Sequence, residues 1–416
     1  MEPTPRDREA QLDPVDIVGR FFRPDRVRET AIQMGRTPTP QTELYDREPK
    51  ILKAIREFYR PQFEDAGCST YIDDYGNLIA TQGVTAGRKI LFLGYAMDWA
   101  EATMPNPWSG EAMDGKQFGV DGEVVWGRGG AEWHPTNVAM IECAKIVAES
   151  RVPLTGQLIY VISSGGHTST SDPVYHLLHN DGLRADLCIT PGTKEIVLGN
   201  CGRLDLRVNV FGRSVHSGGD LAAGSNAIEG GLEALERLGK IIPYSAERPR
   251  DPDMGQGRLS VIGLASYPFS PGFHNGVGSG GHTLQNCMRF LLDRRLIPGE
   301  SVEDAVDEIR AAIGDLTPWR ITFERGALQY PSKHAVDSEL IESLTRAYQR
   351  TLKESPGFRY VDYTIDAGFM NMSGIPTAMF GAIDLANCHG DIEFLNLNDT
   401  CQIAKVYTVW ALDHVS

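Results

Sequence analysis

The sequence has no CxxC pair, and its seven cysteines (Cys68, Cys143, Cys188, Cys201, Cys287, Cys388, Cys401) are odd in number and scattered. This excludes the disulfide framework of a small secreted domain and predicts a reduced, cytoplasmic setting. No stretch approaches the roughly 20 uninterrupted apolar residues that a membrane-spanning helix needs. The opening MEPTPRDREAQLDPVD lacks an apolar core, so no signal peptide is expected. Positive charge is in deficit, with 40 Lys and Arg against 55 Asp and Glu, a net charge of -15. Such a surface repels phosphate backbones and anionic membranes, so the expected partners include neither nucleic acid nor membrane. A small anionic substrate remains compatible, because a pocket can be basic inside an acidic whole. There is no Walker A loop, and no GxGxxG sits directly between a strand and a helix as a dinucleotide fingerprint requires.

What is present is ordinary for a folded protein: 416 residues, 41% hydrophobic and 23% charged. That length exceeds what one core usually serves, so two domains are expected. Residues 1–14 read as a disordered N-terminus. A helical pattern runs from Pro14 to about Met34, and apolar residues from Ile51 to Phe58 again recur at helical spacing. STYIDDYGNLIATQG reads as a hairpin around an Asp-Tyr-Gly-Asn turn. RKILFLGYAMD, GQLIYVISS and ADLCIT are apolar runs that suit buried parallel strands. NVAMIECAKIVAES between them reads as a helix capped by Asn137. This alternation predicts an α/β domain with a mostly parallel mixed sheet flanked by helices. The pattern changes at GRLDLRVNVFG, which alternates as an amphipathic strand does. The order strand, helix, strand, strand, helix over 203–328 predicts an inserted open-faced α/β sandwich. The first domain then spans 15–202 and 329–416. An inserted domain often leaves a cleft, a preferred place for a ligand.

Four segments carry candidate chemistry. FLGYAMDW ends a buried strand with Asp98, and VVWGRGGAEWHP holds Glu132 and His134 in a glycine-rich loop before a helix. FGRSVHSGG places His216 at the end of the amphipathic strand, and ANCHGDIEF places His389 after a buried one. Acids and imidazoles at the carboxyl ends of parallel strands sit where α/β proteins bind ligands. Cys388 beside His389 does not read as a thiol–imidazole couple, because neighbours on an extended segment point opposite ways.

The order TPTPQTELYDREPKILKAI, DDYGNLIA, GRGGAE, FGRSVHSG with NAI, LLDRRLIPGES and GIPTAMFG resembles one family. This is the aminoacylase, carboxypeptidase G and succinyl-diaminopimelate desuccinylase group of zinc exopeptidases. The resemblance runs from about Thr37 to the C-terminus and implies the same architecture, with the inserted sandwich as lid and dimerisation domain. It implies two zinc ions that polarise an amide and activate a water. The site departs from that pattern. The first histidine ligand falls on Ala96, while the Asp that orients it is kept as Asp98. The bridging Asp corresponds to Glu132. The glutamate pair falls in ISSGGHTSTSD, which has no carboxylate before Asp172, and a further acid falls on Thr190 or Pro191. The last histidine is kept as His389.

The resemblance therefore leaves room for one zinc at most, held by Glu132, His389 and a recruited His167, with an open fourth position. It keeps Asp98 and Glu132 as catalytic candidates and gives His216 the task of steadying an oxyanion across a dimer; His134 has no counterpart in the family and is the catalytic candidate that a remodelled site could recruit. Asn275, His282 and Arg295 are the candidate substrate-binding residues. Each has a structural alternative: Asp98 as a strand-end cap, Glu132 as an acid favoured by a helix dipole, His134 and His167 as loop residues, Arg295 as a structural residue of its strand. Three functions follow. The first is a one-metal hydrolase acting on an amide of an amino-acid derivative. The second is a metal-free relative doing cyclisation, isomerisation or lyase chemistry in the same pocket. The third is a non-catalytic dimeric binding protein.

Overall fold

The computed structural model describes residues 12–99, 104–166, 171–267 and 282–416. His167, Asn275 and most of the expected N-terminal tail lie outside the described residues. The chain divides into two compact units: Met1–Gly199 with Lys333–Tyr360 and Ile365–Ser416, and Asn200–Ser332 with Val361–Thr364.

The first unit is built on a mixed sheet. Its strands run in the spatial order Ser69–Ile72, Leu78–Gly83, Gln157–Ser163, Lys89–Tyr95, Leu187–Thr190, Thr377–Met379, Ile196–Asn200 and Ser332–Lys333. Lys89–Tyr95 runs parallel to both of its neighbours, and Thr377–Met379 runs parallel to Leu187–Thr190. These central strands are buried almost throughout, which is why their sequences are continuous apolar runs rather than alternating ones. The expected hairpin is present, pairing Ser69 with Thr81 and Ile72 with Leu78.

Helices His134–Ser150 and Leu397–Val415 are buried on most of their surface and contribute Ile141, Ile146, Tyr407 and Trp410 to one core. Three expectations need correction. The first helical pattern is two helices, Pro14–Phe21 and Pro24–Gly35, because Pro24 offers no N–H and is better used to start a helix. The pattern at Ile51–Phe58 is interrupted by a π-helical turn at Ile55–Tyr59 that turns Tyr59 into the core. Asn137 is not a cap. The helix begins at His134, and Asn137 donates to Tyr59 Oη at 3.1 Å and to Tyr95 O at 2.8 Å.

A small sheet supports the candidate site. Strand Phe394–Asn396 pairs antiparallel with Glu123–Trp126, which pairs with Glu111–Asp114. It fixes the segment before the loop 127–133 beside the segment that follows His389.

The second unit is a four-stranded antiparallel sheet in the order Leu259–Tyr267, Cys287–Leu296, Gly202–Phe211 and Arg320–Gln329. Its helices Ala227–Leu238 and Val302–Ile313 bury Leu238, Val306 and Ile309 against Leu206, Val208, Phe290 and Leu292. The alternation read in GRLDLRVNVFG is the period of a sheet with one face on a core.

Candidate functional site

The site of the first unit grows from the loop that joins strand Glu123–Trp126 to helix His134–Ser150. Gly129 has a φ of +81°, and a Cβ there would stand 2.1 Å from Asp98 Oδ1 and 2.6 Å from His134 Nε2. Only glycine lets the loop close over that pair. Asp98 follows strand Lys89–Tyr95 and is fully buried. Its Oδ2 accepts from Thr39 Oγ1 at 2.6 Å and from His134 Nε2 at 3.0 Å. Burial pulls the His134 imidazole toward its neutral form, but the charge and hydrogen bond of Asp98, with help from Glu393 and Glu132, raise its pKa overall.

Glu132 forms the second pair. Its Oε1 accepts from His389 Nε2 at 2.7 Å. His389 sits at a φ of +62° and lies flat on Trp99, with ring centroids 4.5 Å apart and planes 8° from parallel. Its side chain is 39% exposed and that of Glu132 is 8% exposed, so the imidazole is the face this pair shows to solvent. Burial lowers the His389 pKa, and the bond to Glu132 with the charges of Glu132 and Glu393 outweighs it, a net rise.

Two residues that the sequence reading passed over hold this loop. Glu393 is fully buried and ion-paired with Arg128 at 2.5 Å, itself fully buried. Its Oε1 accepts from the amides of Gly129 at 3.0 Å and Ala131 at 3.3 Å. Burial, then the charge of Glu132, raise its carboxyl to about 7 against the opposing pull of Arg128. The clue available in the sequence was one arginine in GRGGAE and one glutamate in HGDIEF, a charge in each of two segments bound for the interior. Cys388 bonds to Ala131 O and Asp384 O at 3.3 and 3.1 Å. Burial and the carboxylates of Glu132, Glu393 and Asp384 push its thiol far up, which fits a structural thiol rather than a nucleophile.

The structure thus brings together Asp98 with His134, and Glu132 with His389, on either side of one loop. In the second unit, His216 and His282 lie with ring centroids 6.0 Å apart, and Ser217 N donates to His282 O at 2.7 Å. His216 Nδ1 accepts from Gly218 N at 3.0 Å. Arg295 gives two hydrogen bonds to Asp293, at 2.8 and 3.0 Å, and one to Asp362 O, so its guanidinium serves the second unit's own structure.

The donor set decides what metal chemistry fits. Ala96 is buried and offers no donor, and Thr190 offers a hydroxyl where a carboxylate would be needed. Among the described residues the site supplies Glu132 and His389, one donor short of the three protein ligands of a catalytic zinc. A pair of zinc ions does not fit these residues. Elsewhere, Asp73, His176 and Asp181 bring donor atoms within 4.8 Å of one another. Asp73 is committed to the hairpin turn, accepting from the amides of Tyr75, Gly76 and Asn77 and from Asn77 Nδ2.

Comparison with known proteins accords with this architecture. Residues 198–320 match the family description Peptidase dimerisation domain, of the M20 type. The chain has the M20 metallopeptidase fold and its dimerisation domain. An M20 family metallo-carboxypeptidase, Sso-CP2 from Sulfolobus solfataricus, superposes with a TM-score of 0.70 at 14% identity, over 92% of this chain and 97% of that one. Human carnosine dipeptidase 1 gives 0.68 at 14% identity, over 98% and 99% of the two chains. In sequence, Escherichia coli K12 protein YgeY is 23% identical over 354 residues, 80% of this chain and 82% of that protein.

Proposed function

We propose that the chain is an aminoacylase-like enzyme acting on an amide bond of an amino-acid-derived small molecule, with a remodelled site that holds at most one metal. The observation that carries this reading is the convergence of two carboxylate–imidazole pairs, Asp98–His134 and Glu132–His389, on one glycine-rich loop. The similarity to a metallo-carboxypeptidase and a dipeptidase supports amide chemistry. Selective retention supports catalysis over mere binding: the first metal-ligand position is Ala96 and a further one falls on Thr190 or Pro191, yet Asp98, Glu132 and His389 are kept, each in a carboxylate–imidazole pair.

Amide hydrolysis needs a proton taken from the attacking water and a proton given to the leaving nitrogen. His389, partly exposed and oriented by Glu132, is placed for both transfers. With its Nε2–H bonded to Glu132, the basicity of the ring resides at Nδ1, and the carboxylate stabilises the imidazolium formed when the water proton arrives. His134 is too buried to meet substrate directly. Held by Asp98, it supplies a fixed imidazole dipole behind the reacting centre. The same pairs serve a non-hydrolytic proton transfer, and the missing zinc ligands favour this as the second reading.

Dimerisation through the second unit belongs to the proposal, with His216 acting on a partner's substrate. Its edge strand Leu259–Tyr267 exposes Val261, Ile262 and Leu264, an apolar edge suited to a second copy. Seven free thiols suit a cytoplasmic setting, and no described helix is long and apolar enough to cross a membrane.

The test is elemental analysis of protein purified without added metal or chelator, joined to a turnover screen of N-acyl amino acids and dipeptides. At most one zinc per chain, with turnover lost in His389→Asn, is expected. Two zinc ions per chain, or wild-type turnover in that variant, would refute the remodelled site. Turnover confined to a non-hydrolytic product would establish the second reading.

A further inference from the structure

The first unit carries a second group of candidate ligands, on elements that take no part in the imidazole loop. Asp73 lies in the turn between strands Ser69–Ile72 and Leu78–Gly83, His176 in helix Asp172–His179, and Asp181 just past the end of that helix. One oxygen from each carboxylate and one imidazole nitrogen all lie within 4.8 Å of one another. His176 Nε2 stands 3.6 Å from Asp181 Oδ1, too far for a hydrogen bond. Two ligands of one ion, each about 2.1 Å from it, stand roughly 3 Å apart at a right angle and roughly 4 Å apart on opposite sides. The imidazole and the carboxylate are therefore spaced as ligands of a common ion are, not as a hydrogen-bonded pair is.

The surroundings hold these groups in place. Asp73 Oδ1 accepts from the amides of Tyr75, Gly76 and Asn77 at 3.0, 2.8 and 2.8 Å. Its Oδ2 accepts from Asn77 Nδ2 at 2.7 Å and keeps a lone pair. Asn77 Nδ2 also donates to Pro173 O at 3.1 Å, which ties the hairpin turn to the helix start. The His176 ring packs against that of Tyr75, with centroids 5.6 Å apart. The Asp181 amide donates to His176 O at 3.2 Å. Hydrogen-bonded support of this kind is what orients the ligands of a metal. Burial, then the charge of Asp73, raise the Asp181 carboxyl against the pull of His176, and Asp74 adds negative charge.

We propose that Asp73, His176 and Asp181 bind a divalent cation of the manganese class, with water completing its coordination. One imidazole with two carboxylates and no thiolate suits such an ion. Structural zinc is usually closed in by four protein ligands, and calcium takes about 6–8 oxygens. Here there are three protein donors, and Asp181 is exposed, which leaves room for the waters of an octahedral ion. The ion joins the hairpin at the edge of the sheet to the end of helix Asp172–His179. With so much water in its shell it is held weakly, and protein purified without added metal loses it, so the zinc count at the imidazole loop stands apart from it. The proposal does not depend on which reaction the imidazole pairs perform.

The test titrates the full chain with manganese(II) chloride and follows free Mn2+ by its electron paramagnetic resonance signal, which broadens on binding. One site per chain with sub-millimolar affinity is expected. His176→Gln and Asp181→Asn should each weaken binding at least tenfold, with circular dichroism as the check on folding. Asp73 is left intact because the hairpin turn depends on it. His389→Asn should bind manganese as wild type does. Three results overturn the proposal: no binding at several millimolar Mn2+, wild-type affinity in both His176→Gln and Asp181→Asn, or loss of the site in His389→Asn, which would place the ion at the imidazole loop.

Discussion

The Asp366 carboxyl offers the sharpest quantitative prediction. Burial, assisted by Asp172, raises its pKa from an ordinary 3.8 to about 6, while the Ser171 and Tyr95 hydroxyls oppose the rise. Each pH unit of difference between folded and unfolded states is worth about 1.4 kcal/mol. Ionising this group in the folded protein therefore costs about 3 kcal/mol. The folded state binds the proton more tightly, so the contribution to stability is fully present below pH 3.8. It is lost as the pH rises toward about 6 and is constant above that. The perturbation is Asp366→Asn, which removes the titration and keeps the shape. The assay is urea unfolding of wild type and variant from pH 4 to 8 at constant ionic strength. Only the difference between the two curves is read, because other carboxylates titrate in both proteins. The variant should gain on wild type by somewhat more than about 2 kcal/mol across the range, nearly all of it below pH 6.5. Parallel curves would refute the reasoning, since they would mean that the carboxyl is no harder to ionise in the folded protein than in the unfolded one.

Three further predictions concern the imidazole loop. Arg128→Met alone should cost about 3–5 kcal/mol, because it strands the buried Glu393 carboxyl, while Arg128→Met with Glu393→Gln, which removes the charge and keeps an acceptor for the Gly129 and Ala131 amides, should recover much of the loss in urea titrations. Gly129→Ala should destabilise by about 1–3 kcal/mol or more, since the residue is left-handed and its Cβ would intrude on Asp98 and His134; an unchanged midpoint would contradict the loop geometry. Glu132→Ala and His216→Ala should abolish turnover while unfolding midpoints change by less than about 1 kcal/mol, and full turnover in either variant would remove that residue from the site.

Much of the fold was legible because its signals are local. The apolar runs at 89–95, 157–163 and 187–190 could be read as buried strands from composition alone, and the Asp-Tyr-Gly-Asn turn announced its hairpin. The misread elements had signals that tertiary packing overrode. Asn137 is a good cap by type, but its side chain is used to bridge Tyr59 and Tyr95 from inside the helix. The π-helical turn at Ile55–Tyr59 leaves no mark in the apolar spacing. For the site, residue types at strand ends sufficed to nominate Asp98, Glu132, His134 and His389. Their pairing was not legible, because it depends on the left-handed conformations of Gly129 and His389, which set the direction in which each side chain leaves the backbone. Glu393 and Arg128 were missed for a different reason: each reads alone as an ordinary surface charge, and only the small sheet joining 123–126 to 394–396 makes them a buried pair.

That pairing bears on the proposed loss of metal ligands. In the family that the sequence resembles, the strand-end Asp orients a histidine two residues upstream, and here that position is Ala96. Asp98 has not been left idle. It holds His134, which reaches the same carboxylate from the following helix. On the proposed remodelling, the imidazole that Asp98 holds comes from the helix start instead of from the strand. Simple decay of a metal site would have left a buried carboxylate without an ionic or imidazole partner, at a cost of several kcal/mol. Retaining the acid and supplying a new imidazole avoids that cost and keeps a titratable pair beneath the loop that carries Glu132. Two explanations remain for His134, preservation of the fold and preservation of proton chemistry, and they differ in one measurable respect. His134→Gln keeps a hydrogen bond to Asp98 but cannot carry a proton. If the pair serves only the fold, the variant should lose little turnover; if it tunes the reacting centre, turnover should fall at least tenfold with an unchanged unfolding midpoint.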